Sequence, residues 1–450
     1  MSNISFAAII LAAGLGKRMK SNHSKVMHKI AGQPMILRLL NTLESLSPEQ
    51  VAIVVGPDME EVTNSLSSYK LCTQRNRLGT GDAVKATHEI LTGFKDPIII
   101  LFGDTPMVKS ETMLASIKAC SNGADIVVVG FKSVDPKAYG RLVIDEDGNL
   151  IKIIEAVEAN AEQLEITMCN SGLMVVSGRY MFDLLMNLNS QNKKGEYYLT
   201  DIVSVARDRG LKTVVVEAEE AELMGINSRN ELSIAEANVQ KGLRANAMAN
   251  GVTLIDPSSV WLSHDTVLDR DVVIHPNVVF GLGVTVGKDV EIKSFSHIEG
   301  ATIDEGAVIG PFARLRPGAE IGCDAKVGNF VEVKNSVLGP GTKINHLSYI
   351  GDTNVGAGTN IGAGTITCNY DGFNKHRSII GNNTFIGSNT ALFAPVNIGD
   401  GAVVAAGSTI SRDVMAGSLA IGRAAQEEKK GWAISYKTKH QQRTSQKPKR

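Results

Sequence analysis

Aliphatic residues at a six-residue spacing in the second half of the chain constrain its fold more than any other feature. Ile303, Ile309, Leu315, Ile321, Val327 and Val333 follow one another at that interval, as do Ile380, Ile386, Leu392, Ile398, Val404 and Ile410, with Leu338, Ile344 and Ile350 between the two runs. Glycine directly follows many of them, as at Gly310, Gly322, Gly328, Gly339, Gly351, Gly381 and Gly387. A period of six that buries one aliphatic per repeat is the signature of a parallel β-helix. The spacing breaks once: Ile361 to Ile380 is nineteen residues where six would do. The excess, around Thr367-Cys368-Asn369-Tyr370-Asp371-Gly372, is expected to loop out of the coil, where solenoids often carry binding elements.

The first half reads differently. Phe6 to Leu11, Val51 to Val55, Ile98 to Phe102, Ile126 to Gly130 and Thr213 to Glu217 are apolar runs of strand length. Helical patterns over Pro34 to Leu46 and Ser110 to Cys120 lie between some of them, which predicts an open, mostly parallel α/β sheet. Ligands bind such sheets outside the carboxyl ends of the strands, at Gly14 to Arg18 and Gly103-Asp104 here. Between the halves, Ser228 and Glu231 form a capping box ahead of Leu232, Ala235, Val239 and Leu243, and Asn250-Gly251 stops the pattern, predicting a connecting helix.

At 450 residues, two domains are the default. With 46 basic against 47 acidic side chains, the chain as a whole has no field to attract nucleic acid or an anionic bilayer. Five scattered cysteines without a C-x-x-C pair indicate neither a disulfide framework nor a zinc site, and fit a reducing cytoplasm. The run Phe6 to Ala13 lacks the basic flank and cleavage site of a signal peptide, so it reads as a buried strand.

Leu11-Ala12-Ala13-Gly14-Leu15-Gly16-Lys17-Arg18-Met19 sets two glycines and two cations after a strand. Glycines let backbone N–H groups approach phosphate oxygens, and cations offset polyphosphate charge, although a tight strand-to-helix turn would explain the glycines alone. The segment resembles the L-A-A-G-x-G-T-R-M signature of sugar-nucleotide pyrophosphorylases, with Lys17 in place of Thr. Lys25-Val26-Met27-His28 resembles the lysine element that follows it, with Ser24 where proline is usual. Gln74 ahead of Gly79-Thr80-Gly81 is similar to the uracil-reading loop of uridyltransferases, and Phe102-Gly103-Asp104 to their metal-binding element. The resemblance implies attack of a sugar 1-phosphate oxygen on the α-phosphorus of UTP. Leu11, Ala12, Ala13, Gly14, Arg18, Lys25, Gln74, Gly79 and Thr80 would bind the nucleotide. Phe102, Gly103, Asp104, Gly140, Glu155, Asn170 and Asn227 would contact N-acetylglucosamine 1-phosphate. One Mg²⁺ per site would be held by Asp104 and Asn227.

In the repeat half, Arg316 and Lys334 each follow a core aliphatic and lie eighteen residues apart. If three hexads make one turn, the two cations stack about 4.8 Å apart on one edge. They then either flank an anion or splay into solvent. Together with His346, Tyr349, Asn360, Asn329-Phe330-Val331-Glu332 and Gly362 to Gly372, they resemble the acetyltransferase domain of the bacterial bifunctional N-acetylglucosamine-1-phosphate uridyltransferase / glucosamine-1-phosphate N-acetyltransferase family. The resemblance spans residues 6 to 424. It implies that His346 is the general base on the amine of glucosamine 1-phosphate, that Arg316, Lys334, Tyr349 and Asn360 bind that sugar phosphate, and that Ala363, Asn369, Tyr370, Ser388, Ala406 and Arg423 line the acetyl-CoA region. It also implies a homotrimer with acetyltransferase sites shared between β-helices.

The expected fold class is an α/β N-terminal nucleotidyltransferase domain, Rossmann-like with a mostly parallel sheet, joined by a long helix to a C-terminal left-handed parallel β-helix. The expected domains are 1–227 for uridylyl transfer, 228–250 for the linker helix, 251–424 for the left-handed β-helix and acetyl transfer, and 425–450 as a basic, mobile tail. The expected protein is cytoplasmic, uses small-molecule substrates, and engages neither nucleic acid nor the membrane interior. Two other readings are a nucleotidyltransferase whose β-helix only assembles it, and a binding scaffold; the first has no need of His346, the second none of Asp104.

Overall fold

The computed structural model describes residues 4–136 and 138–445. The chain forms two compact units that divide after Leu243. This point lies inside the long helix α3, Arg229–Ala249, and not at either of its ends. Among the described residues no helix is long and apolar enough to cross a membrane.

The first unit is built on a nine-stranded sheet. Its strands are β1 (Ala7–Leu11), β2 (Gln50–Val55), β3 (Lys70–Thr73), β4 (Pro97–Phe102), β5 (Ile126–Lys132), β6 (Arg141–Ile144), β7 (Leu150–Ile154), β8 (Met168–Ser177) and β9 (Thr213–Glu217). Their order is β9-β5-β8-β4-β1-β2-β3, with β6 and β7 attached to β8 as a hairpin. Every residue of β1 is buried. Side chains alternate across a strand, so Ala8 and Ile10 pack with Leu39 and Leu43 of α1 (Met35–Glu44) and Ile117 of α2 (Ser110–Ser121). Ala7, Ile9 and Leu11 pack on the other face with Leu184, Ile202 and Val203. A strand sandwiched in this way carries no polar face, and therefore it reads as an unbroken apolar run. β8 breaks the parallel order, running antiparallel to both β4 and β5, and the pairings of β6 with β8 and with β7 are antiparallel as well.

The second unit is a left-handed parallel β-helix whose three sheets have ten, eight and eight strands. Each of the fifteen repeat aliphatics from Ile303 to Ile410 is buried, all but Ile410 at 3% exposure or less. Burial of an aliphatic side chain contributes about 1.5–3 kcal/mol, so the column of inward residues holds the prism together. Leu315 pairs with Val333 and Val333 with Ile350, making one turn eighteen or seventeen residues. The prism begins at Thr253–Leu254, inside the expected 251–424 and ahead of the first repeat aliphatic named above. Ile274, Phe280, Val286, Ile292 and Ile298 already carry the six-residue spacing and are buried.

One expectation needs correction. Ile361 and Ile380 are not consecutive inward positions, because Thr367, 1% exposed, fills the one between them. A threonine fits there because its hydroxyl accepts from Gly351 N at 2.8 Å. The excursion is therefore confined to residues 369–377, between strands Ile366–Cys368 and Ser378–Ile380. Within the expected tail, Trp432–Ser445 is helical. Trp432 stacks on Tyr436, and Tyr436 meets His440, at the four-residue spacing that brings side chains together on a helix. Residues 446–450 of that expected segment lie outside the described residues.

Candidate active sites

In the first unit, the carboxyl ends of β1 and β4 open on a cavity of about 330 Å³. Its wall contains Leu11, Ala12, Ala13 and Gly14 after β1, Lys25, Gln74, Gly79, Thr80, Phe102 and Asp104. Gly103 N donates to Leu11 O at 3.0 Å, binding the two strand ends together. Gly16 is left-handed, and a Cβ there would meet Lys25 Cβ at 2.6 Å, so only glycine lets the lysine element dock. Gln74 donates to Gly79 O and to Asp82, each at 2.9 Å, which fixes the loop that precedes Thr80. Arg18 stands apart on the exposed side of the Lys17–Met19 turn.

Asp104 and Asn227 converge from distant parts of the unit's sequence. Lys25 Nζ donates to Asp104 Oδ2 and, at 3.1 Å, to Asn227 Oδ1. Asn227 is aimed by its surroundings: Nδ2 donates to Gly225 O at 3.1 Å, while its backbone N–H donates to Glu231 Oε2 at 2.8 Å. The cap of α3 thus orients a site residue, and Ile226 N, bonded to Asp104 O at 2.8 Å, ties the two segments. Two oxygens meeting at one cationic point form a donor pair that suits a hard ion, which keeps phosphate and water as further ligands.

The residues expected to contact the sugar lie beyond. Asn170 N donates to Gly140 O at 2.8 Å, and the Ile154 carbonyl, just before Glu155, is next to the open side of Gly140. Burial raises the Glu155 carboxyl above its ordinary range, an effect that Lys194 and the Thr200 hydroxyl only partly offset.

On the β-helix the candidate residues form two columns along opposite edges of one sheet. Arg316 and Lys334 stand on adjacent coils, joined by Arg316 N to Val333 O at 2.9 Å. Their repulsion is partly relieved by Glu332, which accepts from Arg316 at 2.8 Å and lies 3.6 Å from Arg314. Lys375, beside Lys334, pushes the Lys334 ammonium below its usual range; burial and Arg316 act in the same direction. Asn369 donates to the buried Asp352, which also accepts from Asn335. Burial alone would raise the Asp352 carboxyl, but these bonds and the charges of Lys334 and Lys375 hold it below the carboxylate range. Tyr349 reaches this group through its hydroxyl, 3.4 Å from Asn369 Nδ2.

The second column begins at His346. Continuing the register of Ile344 with Ile361, Ile386 and Val404 sets His346, Ala363, Ser388 and Ala406 above one another. Asn389 N bonds Ala363 O and Gly407 N bonds Ser388 O, each at 2.7 Å, and the Arg423 side chain passes Gly407. Asn360 lies on the sheet before this corner, away from Arg316 and Lys334 of the same chain. Tyr370 is exposed in the extruded loop, its hydroxyl bonded to Gly372 O.

Residues 8–215 match the model of the MobA-like NTP transferase domain, and residues 378–412 that of the hexapeptide repeat of succinyl-transferase. The chain is 51% identical to the Bifunctional protein GlmU of Paramagnetospirillum magneticum over 440 residues, 97% of this chain and 98% of the relative. The corresponding protein of Allorhizobium ampelinum is 53% identical, covering 94% of each chain, and that of Dinoroseobacter shibae 47%, covering 98% and 99%. The chain belongs to the GlmU family. Like other GlmU proteins it is a bifunctional enzyme, with a uridyltransferase in its first half, an acetyltransferase in its second, and small-molecule substrates that include a nucleotide.

The two candidate sites also contain residues outside the expected sets. Arg77 and Glu196 line the nucleotide cavity, and Arg77 Nε donates to Ala13 O at 3.0 Å. Lys375 adds a third cation beside Arg316 and Lys334. Only Lys375 left a trace in the sequence, as a cation within the segment that breaks the six-residue spacing.

Proposed function

We propose that the β-helix acetylates the amine of glucosamine 1-phosphate from acetyl-CoA and that the N-terminal unit then joins the product to UTP, giving UDP-N-acetylglucosamine for cell-wall synthesis and pyrophosphate. The observation that carries the nucleotide half is the meeting of Asp104 and Asn227 at Lys25 Nζ, beside a cavity walled by Leu11 to Gly14 and Gly79-Thr80.

In the first reaction Arg316 and Lys334 bind the sugar phosphate, with Tyr349 and Asn360 on the sugar. Ala363, Asn369, Tyr370, Ser388, Ala406 and Arg423 line the acetyl-CoA region. His346 takes a proton from the amine as its nitrogen attacks the thioester carbonyl; the carbon–sulfur bond breaks and coenzyme A leaves as the thiol after protonation. A neighbouring β-helix would supply what one chain separates, since Asn360 and the Arg316–Lys334 pair face different sheets. The active form is accordingly read as a homotrimer.

In the second reaction a phosphate oxygen of N-acetylglucosamine 1-phosphate attacks the α-phosphorus of UTP and pyrophosphate departs. This chemistry needs positioning and charge neutralisation more than acid–base groups. Lys25 and Arg18 neutralise phosphate charge, Gln74 and the Gly79 loop hold the base, and Gly140, Glu155 and Asn170 hold the sugar. Asp104 and Asn227 would hold Mg²⁺, which when bound offsets the negative charge of the phosphates. The enzyme is read as cytoplasmic, where these substrates are found.

A coupled assay tests the reading. With glucosamine 1-phosphate, acetyl-CoA, UTP and Mg²⁺, free thiol should appear first and pyrophosphate after it. Omitting acetyl-CoA should abolish pyrophosphate release; release that persists without it would refute the order.

A further inference from the structure

Asn329 is opposite His346 on the preceding coil, and its Oδ1 is 2.7 Å from His346 Nδ1. A carbonyl oxygen can only accept, so the proton of this bond belongs to Nδ1. We propose that Asn329 is the positioning residue that holds His346 in the Nδ1–H tautomer and turns the lone pair of Nε2 toward the substrate amine. The inference rests on the assignment of His346 as general base.

The surrounding backbone is built to preserve this contact. Leu347 N donates to Asn329 O at 3.0 Å and the Ser348 hydroxyl donates to His346 O at 2.9 Å, so the main chain on either side of the imidazole is tied down. A Cβ at Gly328 would lie 2.0 Å from Asn345 O, which shows how closely the two coils approach just before the pair. An amide orients the ring without adding a negative charge beside it. A carboxylate in its place would favour the imidazolium, which cannot accept a proton. The charged groups facing the same concavity are Glu291, Lys293 and Lys326, of both signs.

The test compares Asn329→Leu, Asn329→Asp and His346→Ala in the full-length enzyme, following thiol release across pH. Asn329→Leu should lower kcat for acetyl transfer by about 10- to 100-fold, a fraction of what a positioned base supplies, with KM values within about twofold and uridylyl transfer unchanged. Asn329→Asp should recover much of kcat but move the acidic limb of the pH profile upward by about one unit. Wild-type kcat in Asn329→Leu, or an unmoved limb in Asn329→Asp, would overturn the proposal. Acetylation surviving in His346→Ala would instead overturn the base assignment on which it rests.

Discussion

At Gly79 the backbone is left-handed with φ +112°, and a Cβ would stand 2.6 Å from Tyr197 O. Gly79→Ala should therefore cost more than about 1 kcal/mol in urea unfolding of the N-terminal unit and depress pyrophosphate release, while thiol release stays normal. Glu155 gives a pH-dependent test. Burial favours its protonated form, so its folded pKa lies above its unfolded one and its contribution to stability is complete at low pH. That contribution is lost as pH rises from the ordinary carboxylate range through the raised value. Melting temperatures of wild type and Glu155→Gln, measured from pH 4 to 7, should separate in favour of the glutamine variant as pH rises; a constant gap would contradict the burial argument. Gln74, Gly79 and Asp104 were legible in the sequence because each lies in a segment that resembles a uridyltransferase motif, and Asp104 also because it closely follows an apolar run of strand length. Arg77 was not, and Asn329 was visible only as part of a resembling segment, since their contacts with Ala13 and His346 are encoded by no local pattern.

Among the elements, the repeat strands were the most legible, because each inward aliphatic repeats the same burial at the same interval. Ile350, fully buried, shows the cost of breaking that pattern: Ile350→Ala should destabilise the β-helix by about 2–5 kcal/mol in chemical denaturation. β8 was missed because it mixes a polar entry, Asn170-Ser171-Gly172, with a buried apolar end, and its register shifts between Asn170 and Met174. The loop of residues 369–377 was seen as an interruption but overestimated, since a buried threonine does not register as a repeat aliphatic. The loop is held by its own bonds: backbone N–H of Asn374, the His376 ring and backbone N–H of Phe373 keep the Asp371 carboxyl well below its usual range. Deleting residues 369–375 restores a six-residue step from Thr367 to Ile380. The expected result is a folded β-helix by circular dichroism with thiol release reduced at least about 100-fold, and full uridylyl transfer.

The whole molecule is two folds with separate chemistry in one chain: glycine-rich turns at the ends of parallel strands, and stacked edge columns on a prism. Neither fold by itself dictates a reaction; the residues at those edges do. Assembly was the least legible property, because the sequence patterns describe what each chain buries within itself. Light scattering on the full-length protein should give three times the 48.0 kDa chain mass. The most direct test of two independent centres is to measure thiol and pyrophosphate release in Asp104→Asn and His346→Ala side by side, offering each reaction its own substrate. Asp104→Asn should lose pyrophosphate release and retain thiol release, and His346→Ala should do the reverse; a single substitution that silenced both reactions in folded protein would contradict the account.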